Sequence, residues 1–389
     1  MLPEAETEKE QMIYLDNAAT TKPLECAMEA FSVSPWGNAS SFHSEGLKAA
    51  EALEQARESI AADLDCEPDE VYFTSGATEA CAWAMHILDV QAVPERAVLA
   101  VSAGEHHAVS QQKTRSQRAV LPLNTAGEIS PPSPAQLKPK TPLYAAGMLA
   151  NNEIGVINDI PRLMQKMRNE YPVPLWFTDA TAAVGHVPVS FKALGVDYLA
   201  FGAHKFGGIK GAGALIIKKG SPGISLISGG GQEHGRRGGT ESVPLICAMS
   251  AALRWHTERM HETVPRITKL RDRLVLGLVS DIPGAWPNSR WCTVDPSKQL
   301  PGTVSMSFEG VSGSALVALL SHEEVYASAG SACTSGDLSP SETLTAMGLS
   351  RERALGTVRF SIGHENTEED IDAVLALMPR LVAHLRALN

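Results

Sequence analysis

Between Val71 and Ile217, short β-rich runs alternate with helical stretches, and this alternation restricts the fold more than any other feature. Strands joined through helices return to the same end of a sheet, so they lie mainly parallel in an α/β layer. Runs at Val71 to Thr74, Ala97 to Ser102, Leu143 to Leu149, Leu175 to Thr178, Tyr198 to Phe201 and Ala214 to Ile217 are the expected strands. Leu47, Ala50, Leu53, Ile60 and Leu64 recur at helical spacing, which predicts a helix over Ser44 to Leu64. Ile160 to Tyr171 is a second helix. Past Val243 the pattern changes to a long helix reaching about Ser280 and a Pro- and Trp-containing loop. Strands at Thr303 to Phe308 and Thr357 to Ile362 then flank a helix near Ser314 to Ser321, and a closing helix follows from Glu368. With 389 residues, the chain is expected to divide into a tail over 1–12, a large lobe over 13–242 and a small C-terminal lobe over 243–389.

Composition excludes some functions. Lysine and arginine total 33 against 44 acidic residues, a net charge of −11, which argues against a nucleic-acid binder. No apolar run is long enough to span a bilayer, and the acidic, polar first dozen residues lack the features of a signal or transit peptide. A cytoplasmic protein with reduced thiols is expected. The six cysteines are scattered without zinc-like spacing, so no metal site is expected.

Five stretches could carry chemistry. Thr74 to Glu79 is a small-residue turn between a strand and a helix, suited to a phosphate but equally to an ordinary tight turn. Asp179 ends a strand, where ligands of parallel sheets bind and where helix caps also occur. Lys205 follows a buried-looking strand, and a desolvated lysine can form a Schiff base with an aldehyde. Ser228 to Thr240 combines glycines with Arg236, Arg237 and a hydroxyl, a composition suited to anions or to a plain flexible loop. Cys333 sits among small polar residues, unlike Cys247 in its apolar run, and reads as an accessible thiol.

Taken together and in order, these stretches resemble the cysteine desulfurases, in the class V branch of aspartate-aminotransferase-like enzymes. The resemblance runs from Tyr14-Leu15-Asp16-Asn17-Ala18-Ala19-Thr20-Thr21 to the last helix. It includes Gly37-Asn38, Glu105-His106, Asn151-Asn152-Glu153-Ile154-Gly155, Asp179-Ala180-Thr181, His204-Lys205, Arg237 to Thr240, Gly330 to Ser335 and Arg359-Phe360-Ser361. It implies pyridoxal-phosphate fold type I, with a mainly parallel seven-stranded sheet in the large lobe and a small C-terminal α/β lobe.

The resemblance also implies roles. Lys205 would hold pyridoxal 5'-phosphate through a Schiff base, Asp179 would pair with its pyridine nitrogen, and His106 would stack on its ring. Ala77 and Thr78 would meet its phosphate, His204 would lie beside it, and Thr240 would reach it from the second subunit of a homodimer. Asn152 would lie near the ring hydroxyl and the substrate, and Arg359 would clamp the substrate carboxylate. Cys333 would take sulfur from L-cysteine as a persulfide, leaving L-alanine, and pass it to an acceptor protein or small thiol.

Four departures accompany the resemblance. Ala182 stands where glutamine is usual and Gly202 where serine is usual. Cys81 and Ala82 replace polar residues, and Leu149 replaces a histidine. Because Lys205, Asp179, His106, Arg359 and Cys333 are all present, a working but altered site is expected. The alternatives are a selenocysteine lyase or other class V reaction, and a catalytically weakened scaffold. Some members of the resembled family carry a further C-terminal tail that docks an iron–sulfur scaffold, and the sequence given closes soon after its last helix, which leaves docking of such a scaffold open.

Overall fold

The computed structural model describes residues 12–133, 137–138, 140–289, 295–330 and 339–388. Cys333 and most of the acidic N-terminal segment lie outside these.

The first strands are β1 (Ile13–Tyr14), β2 (Val71–Thr74), β3 (Val98–Ser102), β4 (Arg118–Leu121) and β5 (Leu143–Ala146). Next come β6 (Leu175–Asp179), β7 (Tyr198–Gly202) and β8 (Gly213–Ile217). The C-terminal strands are β9 (Ala285–Pro287), β10 (Thr303–Phe308), β11 (Val325–Tyr326), β12 (Ser328–Ala329) and β13 (Thr357–Ser361). The helices are α1 (Glu25–Val33), α2 (Ser44–Leu64), α3 (Ala77–Glu95), α4 (His107–Ser110), α5 (Ile160–Glu170) and α6 (Phe191–Leu194). They continue with α7 (Val243–Asp281), α8 (Gly313–His322), α9 (Glu342–Ala346), α10 (Arg351–Leu355) and α11 (Glu368–Ala387).

Seven strands form one sheet in the order β2-β8-β7-β6-β5-β3-β4. Strand β8 runs antiparallel to β2 and β7, and the remaining pairs are parallel. The sheet is covered on both faces, which is why its inner strands read as continuous apolar runs rather than as alternating ones. Phe73, Ala145, Trp176 and Leu199 pack on one face with α2, α5 and the first half of α7. Tyr72, Tyr144, Phe177 and Tyr198, their neighbours in sequence, pack on the other face with α3. The expected mainly parallel sheet is therefore present, in a three-layer arrangement.

A second core gathers the antiparallel sheet β12-β13-β10-β9 with α8, α11 and the second half of α7. Its parallel pair β1-β11 brings Ile13 and Leu15 into this core, although they lie in the sequence of the expected large lobe. Helix α7 serves both cores, Met249 and Leu253 in the first and Leu270, Leu274 and Leu278 in the second. The two cores divide along its length.

Helix α2 has the predicted ends and a different buried face. Leu47 is 57% exposed, whereas Ala49, Leu53, Ala56, Ile60, Ala61 and Leu64 form the stripe. Arg57 lies in that stripe because Glu233 receives its guanidinium at 3.1 and 2.9 Å and also accepts from the Phe73 N–H. Strand β5 ends at Ala146, three residues before the expected end, although the Gly147 and Leu149 N–H groups still donate to the β6 carbonyls of Phe177 and Asp179. Strand β4 and helix α1 are additions that the sequence pattern does not signal. Among the described residues, no helix is long and apolar enough to cross a membrane, and no cluster of candidate metal ligands occurs.

Candidate functional site

Because β2 and β7 both run opposite to β8, and β3, β5, β6 and β7 are parallel, the carboxyl ends of these five strands share one edge of the sheet. Ligands of open α/β sheets bind at such an edge. A cavity of about 560 Å³ lies there. Ala77, Thr78, His106, Asn152, Asp179, His204, Lys205 and Arg359, all singled out from the sequence, line it.

Ala77 and Thr78 open α3, whose N-cap Gly76 makes no side-chain capping bond. The first N–H groups of a helix have no partner within it and carry its positive end, so this turn is a cradle for an anion. Gly202 lies against that turn, and a Cβ there would come within 3.1 Å of the Ala77 N and Cβ. Its lack of a side chain lets α3 approach the end of β7. Ala182 borders both the main cavity and a smaller one of about 40 Å³ behind Lys205.

Lys205 occupies a short turn just past β7. Its Nζ donates to the carbonyl oxygens of Ala18 at 2.6 Å and Ala19 at 3.0 Å. Its own carbonyl accepts from Thr21 Oγ1 at 2.8 Å and lies 3.0 Å from His186 Nε2. Burial, and after it the charge of Arg359, lowers its pKa to about 8 against the pull of Asp179 and Asp16. The amine is thus reachable in its neutral, nucleophilic form near neutral pH. Burial, with Lys205 and Lys210 adding to it, brings His204 down to about 4.

Asp179 ends β6, is buried, and accepts from the Thr181 N–H at 2.9 Å. Cys81 also lines this wall, and burial, then the charges of Asp179 and Glu105, raises its thiol well above the ordinary range. Glu105 is raised to about 8 by burial and then by Asp179, so it keeps its proton at neutral pH. His106 caps α4, its Nδ1 accepting from the Ala108 N–H at 3.1 Å, which leaves the proton on Nε2. Burial lowers its pKa, so the ring is neutral.

Arg359 comes from β13, in the other core. It donates to the Asn152 carbonyl at 3.0 Å and to Asp16 Oδ1 at 2.9 Å. Its Nε is buried and, among the described residues, has no hydrogen-bond partner. A buried guanidinium N–H without an acceptor is costly, and a ligand carboxylate would relieve it bidentately.

Of the residues expected in the site, one lines a different recess and one lies outside the described residues. Thr240 lines a separate recess with Phe73, Ser75, Glu233 and Arg237, and Arg237 is held by Glu79 at 2.8 and 3.0 Å. Cys333 lies outside the described residues; Ser328 and Ala329, which line the cavity, are the nearest such residues before it in the chain. Sequence reasoning missed Asp16 as the partner of Arg359, 343 residues away, and Glu105 as a protonated neighbour of Asp179. Both occur in stretches already quoted for the resemblance, but no spacing rule pairs them.

The sequence matches the family model described as Aminotransferase class-V over residues 13–374. It is 36% identical over 386 residues to a "Cysteine desulfurase IscS" from Methanosarcina thermophila, covering 97% of this chain and 93% of that protein. It is 38% identical to a "Cysteine desulfurase" from Sinorhizobium fredii, covering 96% of this chain and 97% of that one. Among solved structures it superposes on a "NifS-like protein" with a TM-score of 0.86 at 31% identity, covering 96% of this chain and all of that one. It also superposes on SspA, solved in complex with cysteine, with a TM-score of 0.74 at 27% identity over 91% of this chain and all of SspA.

Proposed function

The chain belongs to the aminotransferase class-V family and is a cysteine desulfurase, and we propose that it works with pyridoxal 5'-phosphate in the cavity at the sheet edge, with Lys205 and Cys333 as its principal catalytic residues. The observation that carries this reading is that one cavity brings an amine with a pKa of about 8 together with an arginine whose buried Nε lacks an acceptor among the described residues.

The residues present suit the cofactor. Ala77 and Thr78, at the uncapped start of α3, would hold its phosphate, and Asp179 would hold its ring nitrogen. His106 would cover the ring, while Asn152 and His204 would lie beside it. When bound, the cofactor supplies an electron sink for the bond broken at the substrate Cα.

The protein's own residues do the rest. Arg359 binds the carboxylate of L-cysteine and orients its Cα. Lys205, as the neutral amine, takes the Cα proton. The Cys333 thiolate attacks the substrate Sγ, an S–S bond forms, and the substrate Cβ–S bond breaks with its electron pair going to Cβ. Protonation of Cβ, and return of a proton from Lys205 to Cα, give L-alanine. The balance is one thiol and one cysteine converted to one persulfide and one alanine, with no outside oxidant. The persulfide sulfur then passes to an acceptor thiol, which suits a reducing, cytoplasmic location.

A homodimer is part of the proposal. Val33, Trp36 and Phe42 are 76%, 81% and 96% exposed around the start of α2, an apolar surface suited to a second copy. A second copy would also bring its Thr240 to the phosphate end, which Thr240 of the same chain does not line.

The test is to incubate the protein with pyridoxal phosphate, L-cysteine and a reductant, and to quantify alanine alongside Lys205→Ala and Cys333→Ala. Wild type is expected to make alanine and both variants to fail. Alanine formation by Cys333→Ala at the wild-type rate would refute the role given to that thiol.

A further inference from the structure

The described chain stops at Gly330 and resumes at residue 339, with Cys333 between. The first flank is tied to Asp16, which Arg359 bonds, and the second to Glu153, the neighbour of Asn152, whose carbonyl Arg359 bonds. On the first, the Gly330 N–H donates to the Thr357 carbonyl at 2.9 Å. Only glycine fits there, since a Cβ would come within 2.6 Å of the Thr357 side chain. Ser328 Oγ donates to Asp16 Oδ1 at 2.7 Å, the same oxygen that Arg359 bonds.

The second flank is tied to Glu153. Ser341 Oγ donates to one of its carboxylate oxygens in a short bond, and Thr343 Oγ1 donates to the other at 3.1 Å. Ser341 and Thr343 are buried, so these bonds are shielded from water. Ser341 also caps α9 through the Leu344 N–H, so the carboxylate holds the start of that helix. Glu153 follows Asn152, whose carbonyl receives Arg359. Around the bonds, Ile154 and Val156 pack on Leu344, Met347 and Ala354 in a small apolar cluster of their own.

We infer that Glu153 is a positioning residue for the sulfur-transfer step, holding through Ser341 and Thr343 the segment that leads away from Cys333 beside the substrate-binding arginine. Glu153 does not line the cavity and needs no contact with substrate. Its carboxylate joins the C-terminal flank of the thiol segment to the turn that presents Asn152. The inference rests on the reading of Cys333 as the sulfur acceptor.

The test separates two half-reactions of the cofactor-loaded protein. Exchange of the Cα proton of L-alanine with deuterated water needs Lys205 and Arg359 but no thiol. Persulfide on Cys333, read by mass spectrometry after mixing with L-cysteine, needs the thiol in place. Glu153→Gln, and separately Ser341→Ala with Thr343→Val, are expected to slow persulfide formation by about tenfold or more, the scale of a lost hydrogen bond to a charged group. Exchange is expected to stay near the wild-type rate, and the apolar cluster is expected to keep both variants folded, as thermal melting would report. Equal losses in both half-reactions, or undiminished persulfide formation, would overturn the inference. Wild type that exchanges the Cα proton but forms no persulfide on Cys333 would overturn the Cys333 reading, and this inference with it. Cys333→Ala, with exchange intact and no persulfide, is the reference for a selective loss.

Discussion

The Lys205 amine should titrate near pH 8 in the cofactor-free protein, and its capture of pyridoxal phosphate should follow that titration. Burial opposes the charged form, and Arg359 adds a like charge nearby. With a pKa of about 8, roughly one amine in ten is neutral at pH 7. An ordinary lysine, at roughly 10.4, would be neutral about once in 2,500 molecules. Only the neutral amine attacks an aldehyde, so the depressed pKa is worth about a two-hundredfold gain in reactive form at pH 7. The assay strips the cofactor, mixes the protein with excess pyridoxal phosphate, and follows Schiff-base absorbance by stopped flow from about pH 6 to about pH 10.5. The rate is expected to rise about tenfold per pH unit up to about 8 and then level off. Arg359→Met should move the bend upward, because it removes the second cause of the depression. The linkage runs the same way. Between about 8 and the unfolded lysine's value the unfolded chain binds more protons, so this residue makes cofactor-free stability rise with pH across that window. A capture rate still climbing tenfold per unit at about pH 10 would refute the reasoning.

Two further outcomes follow from the contacts. Arg359→Lys keeps the charge but loses the planar fork, so KM for L-cysteine should rise by about tenfold or more with a smaller change in kcat, as steady-state kinetics would show. Arg57→Met leaves Glu233 buried without its cation, which should cost about 3–5 kcal/mol in urea unfolding, whereas a loss below about 1 kcal/mol would mean that the pair is not shielded from water.

Much of the fold was legible because its signals are local. Strands β2, β6, β7 and β8 are short apolar runs bounded by glycine, aspartate or small residues, and α2 and α7 have their expected ends within a residue or so. The face of α2 was less legible. Helical spacing offered Leu47, but the core took small alanines and Arg57, because the neighbouring α7 packs closely and Glu233 supplies a counter-charge from 176 residues away. Strand β4 was missed because its exposed arginine and mixed burial give an edge strand little apolar signature.

At the site, the order of motifs named Lys205, Asp179, His106, Asn152 and Arg359, and the folded chain gathers all five around one cavity. The sequence by itself determined the kinds of group available: an amine, carboxylates, an imidazole, a guanidinium, and glycines where backbones approach closely. Only the tertiary structure decided their ionisation and partners. The pKa of Lys205 comes from burial and from Arg359, which arrives on a strand of the other core. Glu105 keeps its proton because it is buried and, after that, because Asp179 lies near it, and Glu153 meets Ser341 across 188 residues. Local pattern specifies local conformation, whereas desolvation and charge proximity depend on which distant segments the packed cores bring together.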